Sequence, residues 1–143
     1  MPPFVDHMPV TYTLAATATL YAQLFDEQTT AAQFASTTDG GAEAALLYYG
    51  ANVATSFSTT SAAQSVGDLF TFTIPSSTVN AATTTQYYIV VNDRLNNTKY
   101  VCNNPNATAT STCGASPFSF TRLTAASTTR SVSGTIRANG AGL

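Results

Sequence analysis

Charge is what this sequence has least of. Only 8% of its 143 residues are Asp, Glu, Lys or Arg, where an ordinary soluble domain has roughly a quarter. Seven acids against five bases leave a net charge of −2, too small and of the wrong sign for a surface that tracks nucleic-acid phosphates. A single Lys, a single His and no Trp nearly empty the stock of groups for general acid–base chemistry or metal ligation. The expectation is a protein without catalytic turnover. No apolar run nears the ~20 residues that span a bilayer; the longest, Tyr87-Tyr88-Ile89-Val90-Val91, is strand-sized. The opening residues, Met1-Pro2-Pro3-Phe4-Val5-Asp6-His7, hold neither the basic region nor the apolar core of a secretory signal.

Polarity comes instead from hydroxyls, since 39 residues are Thr or Ser. Thr favours strands and keeps an outer face wet without charge. Such a composition suits a cell-surface or secreted protein. The two cysteines, Cys102 and Cys113, have ten residues between them in a stretch rich in Asn, Thr, Ala and Ser. They read as one disulfide, which would stabilise by about 3 kcal/mol in the chain-entropy picture and would place the protein in an oxidising compartment. Free thiols or two metal ligands are the alternatives, although the spacing is wrong for a zinc knuckle and His7 is the only nitrogen donor.

Helical periodicity is nearly absent, while strand-like alternation recurs. Met8 to Leu14 reads as a first strand. Leu20 to Phe25 puts Leu20, Ala22 and Leu24 on one face, and Asp26-Glu27 ends it. Residues 28–41 read as a connection containing Asp39-Gly40-Gly41. Glu43 to Gly50 gives a third strand, and Thr55 to Gln64 an edge strand around Phe57. Leu69 to Ile74 turns Phe70, Phe72 and Ile74 inward, and residues 76–84 read as loop. Gln86 to Asn92 is the most apolar segment and therefore central, with Tyr87, Ile89 and Val91 inward; Thr98 to Cys102 follows. About seven short strands separated by turn signals predict an all-β, antiparallel two-sheet sandwich. Pro117 to Thr121 is either one more strand or part of a linker, and Ser131 to Arg137 is strand-like with nothing left to pair with.

Five pieces in order, His7-Met8-Pro9-Val10, Leu20 to Asp26, Leu47-Tyr48-Tyr49, Phe72-Thr73-Ile74-Pro75 and Tyr87 to Asp93, resemble bacterial immunoglobulin-like modules of exported multidomain proteins. The long 28–41 connection, the Cys102–Cys113 loop, Asn92 and the Asn96-Asn97 turn depart from that pattern. Val132 to Ile136 with Asn139 to Leu143 resembles the opening of a carboxypeptidase-regulatory-like β module. The resemblance implies an immunoglobulin/fibronectin-III-like sandwich over residues 1–116, a linker over 117–130, and in 131–143 the first strand of a following module or a strand for pairing in trans.

In an immunoglobulin-type topology the turns after the second and sixth strands share one end of the sandwich. That brings Asp26 and Glu27 to Asp93 and Asn96, oxygen donors of the kind calcium takes; the competing reading is that Asp and Asn serve their own turns. Tyr48-Tyr49 and Tyr87-Tyr88 offer either packing or an aromatic face for glycan. Asn96-Asn97-Thr98 and Asn106-Ala107-Thr108 fit the N-glycosylation pattern. His7, with no nucleophile motif beside it, reads as structural. Three functions follow as expectations: a spacer, adhesion or assembly module with other protein modules as partners; a pilin-like filament subunit donating Pro2 to Val10 or Ser131 to Ile136 to a neighbour; and a carbohydrate-binding module.

Overall fold

The computed structural model describes residues 2–35, 44–52, 56–80 and 84–123. Along the chain run β1 (Phe4–Asp6), β2 (Tyr12–Thr13), β3 (Ala18–Phe25), α1 (Ala31–Phe34), β4 (Ala44–Ala51), β5 (Ser58–Ser61), β6 (Ala63–Val66), β7 (Leu69–Ile74), α2 (Ser76–Val79), β8 (Thr84–Asn92), β9 (Thr98–Val101), α3 (Thr110–Ala115) and β10 (Phe118–Arg122). One sheet has the order β1-β3-β7-β6; the other runs β2-β10-β8-β4-β5, with β9 on β8 as well. In immunoglobulin lettering this is A-B-E-D facing C-F-G. The fold is an all-β, immunoglobulin-like sandwich.

Alternation builds the interior. In β3 every second residue is buried, with Leu20, Ala22 and Leu24 at 2% exposure or less. Its register against β7 sets Ala18 against Ile74 and Ala22 against Phe70, small against large, with Leu20 against Phe72 between them. From the opposite sheet Leu47, Tyr87, Ile89, Val91 and Phe120 close the core. Each inward residue predicted from Leu20–Leu24, Phe70–Ile74 and Tyr87–Val91 occupies that core. Gly67 has φ +56° in the turn between Val66 and Leu69, a left-handed backbone that glycine adopts without a Cβ clash.

Among the described residues ten strand segments follow seven paths, because three paths are split. β1 lies in one sheet and β2 in the other, joined by His7 to Thr11. The expected strand over Met8–Leu14 is therefore two shorter ones, and Pro9, with no N–H to give a ladder, sits at the crossing. β5 and β6 likewise change sheets at a single buried residue, Ala62. β9 and β10 pair with successive halves of β8, and the chain between them forms the disulfide loop.

Three expectations change here. β10 falls inside the segment expected as a linker. It is antiparallel to β8, parallel to β2 and puts Phe120 into the core, so the sandwich runs to Arg122 and does not stop at 116. The connections 28–41 and 76–84 contain the one-turn helices α1 and α2, which bury Phe34 and Val79. Pro2 to Val10, expected to pair in trans, instead includes β1, paired in cis with β3. Asp39-Gly40-Gly41 and residues 124–143, including Ser131 to Arg137, lie outside the described residues. Among the described residues no helix is long and apolar enough to cross a membrane.

Candidate interaction surface

At one pole of the sandwich the end of β3 meets the turn between β8 and β9. The second turn is held by one buried carboxylate. Asp93 accepts hydrogen bonds from the Leu95 N–H at 2.9 Å, the Asn97 N–H at 2.8 Å and the Asn97 side-chain amide at 2.9 Å. Burial pushes this carboxyl up, but the bonds from Asn97 and Leu95 outweigh burial and hold it below the ordinary 3.8. Asn96 takes the left-handed φ of +66°, which Asn tolerates better than most residues. The first turn is fixed in a similar way: the Gln28 N–H donates to Asp26 Oδ2 at 3.0 Å. The two turns are joined where the Arg94 N–H donates to the buried Thr29 hydroxyl at 2.8 Å.

Sequence reasoning thus brings the right turns together but assigns one side chain differently from the structure. Asp26 and Glu27 do face the β8–β9 turn, whose Leu95 and Asn97 line a shared groove with them. Asp93 points into its own turn, spending its oxygens on backbone and amide donors, and Asn96 is exposed. Among the described residues no three His, Cys, Asp or Glu side chains come together as a cation site.

What this pole presents is an apolar groove of about 510 Å³ with Pro2, Phe4, Phe25 and Leu95 as its walls and Asp26 and Glu27 on its rim. Phe4 and Phe25 are register partners in β1 and β3, so their rings project side by side from the outer face. Their exposures are 57% and 50%, and that of Leu95 is 61%. The sequence carried a signal for this: Phe25 falls on the outward parity of a strand whose inward positions are already apolar.

The paired tyrosines behave differently from an open aromatic platform. Tyr87 lies in the core, and Tyr88 is buried on the opposite face of β8. Tyr88 stacks on Tyr48 at 4.7 Å and meets the edge of Phe57 at 5.1 Å. The Cys102–Cys113 disulfide packs over this cluster together with Tyr100 and Ala107. The disulfide itself places the protein in an oxidising, non-cytoplasmic setting. The exposed tyrosines, Tyr12 and Tyr21, sit on different sheets.

His7 stands at the crossing between the sheets. Its Nδ1 lies 2.7 Å from the Tyr21 carbonyl of one sheet and its Nε2 2.8 Å from the Tyr87 hydroxyl of the other. A carbonyl only accepts, so Nδ1 carries the proton and Nε2 receives the Tyr87 O–H. Burial pushes the imidazole below its ordinary 6.5, against the Tyr21 carbonyl and Asp6, which favour the cation. Both nitrogens are occupied in holding two strands together. No protein-family model matches this chain, and no curated protein matches it either.

Proposed function

We propose that this chain is a non-catalytic interaction module of an exported protein, displayed at the cell surface or secreted, that holds other protein segments by the groove at its β3 pole. The observation that carries the reading is the convergence of Phe4, Phe25 and Leu95, each at least half exposed, on one acid-rimmed groove. Scattered apolar residues are ordinary on a surface, whereas converging ones mark a place that another molecule covers. The rim selects for an apolar segment flanked by basic residues. The Cys102–Cys113 bond supports the exported setting.

The test is chemical and cellular. Native protein is alkylated before denaturation, its cysteines are assigned by mass spectrometry, and the producing cells are fractionated. The expected result is an intact Cys102–Cys113 bond in chain recovered from the surface or medium. Free thiols in chain retained in the cytoplasm overturn the reading.

A further inference from the structure

We infer that the groove lined by Phe4, Phe25 and Leu95 receives residues 130–137 of a second copy of this chain, so that copies join head to tail. This rests on the reading of the chain as an interaction module and names its partner. The first support is how charge is divided. Residues 1–123 hold all seven acids and three of the five bases, while residues 124–143 hold the other two, Arg130 and Arg137, and no acid. Among the described residues the charged groups lining the groove are Asp26 and Glu27; Arg94, on the neighbouring turn, is not among its walls.

Pattern is the second support. Between the two arginines runs Ser131-Val132-Ser133-Gly134-Thr135-Ile136. In an extended chain Arg130, Val132 and Ile136 share one face. Two branched aliphatics then meet Phe4, Phe25 and Leu95 while Arg130, on the same face, meets the acidic rim, and Arg137 adds a second positive charge just past Ile136. Among the described residues β1, which carries Phe4, is one of the two edge strands of its sheet, and edge strands accept an added strand through their free backbone groups.

Polarity of the fold is the third. β10 ends beside Thr84 at the start of β8, whereas the groove lies beyond Asn92 at its end. The nine residues of β8 put those poles roughly 26 Å apart. The seven steps from Leu123 to Arg130 span at most about 25 Å when fully extended, so the segment would reach its own groove only with that connection drawn out nearly straight. A second copy meets no such limit. A groove at one pole and its complement following the strand that ends at the other make a heterologous contact, which repeats into a ring or an open chain of subunits.

Sedimentation velocity of the full chain over a concentration series tests this, with two charge variants. D26N/E27R reverses the rim and keeps an oxygen for the Gln28 N–H; R130E/R137E reverses the segment. The wild type is expected to gain mass with concentration. Each variant alone is expected to stay at single-chain mass with an unchanged melting midpoint. An equimolar mixture of the two is expected to associate again, because each groove then meets a segment of opposite sign. Wild-type chain that stays single up to about 1 mM, the weak end of measurable association, overturns the proposal. So do variants that associate as the wild type does, or a mixture that fails to associate. A single-copy mass in exported, disulfide-bonded chain overturns the pairing alone; the underlying reading fails by the alkylation experiment instead.

Discussion

β8 has two buried faces, and they are covered in different ways. Tyr87, Ile89 and Val91 face the opposite sheet, where long-range strand pairing supplies their neighbours. Tyr88 and Val90 face outward and are covered by the loop that Cys102 and Cys113 close. The inner face needs only alternation, because any sandwich of two amphipathic sheets buries one side of each strand. An outer face of an antiparallel sheet normally meets water. Here it stays dry because the path from β9 to β10 leaves the sheet, crosses the face as α3 and returns. The disulfide ties the outward end of that path, at Cys102, to Cys113 in α3.

The two layers are expected to fail differently. Phe72 is 1% exposed and faces Leu20 across the β3–β7 ladder. Phe72→Ala leaves a void that the sheets cannot close, so denaturant titration is expected to show a loss of about 3–5 kcal/mol. That is a large share of the stability of a domain this size. The whole sandwich is expected to lose that stability together, in one transition with both sheets.

Removing the disulfide is expected to cost less and to act on one layer. In Cys102→Ser/Cys113→Ser, chemical denaturation is expected to show a loss of about 2–4 kcal/mol. The near-ultraviolet circular dichroism of Tyr48 and Tyr88 should weaken while the far-ultraviolet strand signal remains. Burial, with Tyr48 beside it, holds the Tyr88 phenol above its ordinary 10.0; in this variant it should titrate closer to that value. If Phe72→Ala and the cysteine variant lose the same signals in parallel, the two layers are one cooperative unit and the distinction falls.

The same contrast explains what could be read from the sequence. The inner layer was legible because period-two alternation is local: Leu20, Ala22 and Leu24 declare their face without knowledge of any partner. The strand splits were not, because a chain that changes sheets at Ala62 or between His7 and Thr11 keeps its extended pattern while its partners change. Phe34 was missed for another reason. It lies in a stretch that reads as polar connection, although Thr30 and Gln33 form a capping box, with the Gln33 N–H on Thr30 Oγ1 and the Thr30 N–H on Gln33 Oε1. That T-x-x-Q signature marks a helix start. At the groove, the topology placed Asp26 and Asp93 on neighbouring turns, but whether a carboxylate faces outward or serves its own turn depends on which N–H groups the turn leaves unpaired. Asp93 gives both oxygens to three donors of its turn, whereas Asp26 gives Oδ2 to one, the Gln28 N–H, and lines the groove.

His7 belongs to neither layer and offers the finest test of how the inner one is sealed. It bridges the Tyr21 carbonyl and the Tyr87 hydroxyl where β1 crosses to β2, and Tyr87 is itself a core residue against Phe118 and Phe120. Because burial depresses the folded pKa, the unfolded chain takes up a proton near the ordinary 6.5 while the folded chain resists it. The stability contributed by neutral His7 is therefore fully present above pH 6.5 and is lost as pH falls below it toward the folded value. Asp93, also depressed, acts only in more acidic solution, since its contribution is present above the ordinary 3.8 and lost below it. The window between about pH 4 and 6.5 thus isolates the histidine. His7→Phe keeps a ring in place but strips both hydrogen bonds, and the Tyr87 hydroxyl, which keeps its bond with the Val10 backbone, loses the acceptor for its own proton, at an expected cost of about 1–3 kcal/mol at neutral pH. Thermal melts across that window should show the wild-type midpoint falling with acidity and the variant's staying nearly level, the two converging at the acid end. A variant with the same slope as the wild type would place the acid sensitivity elsewhere and remove His7 from the seal between the sheets.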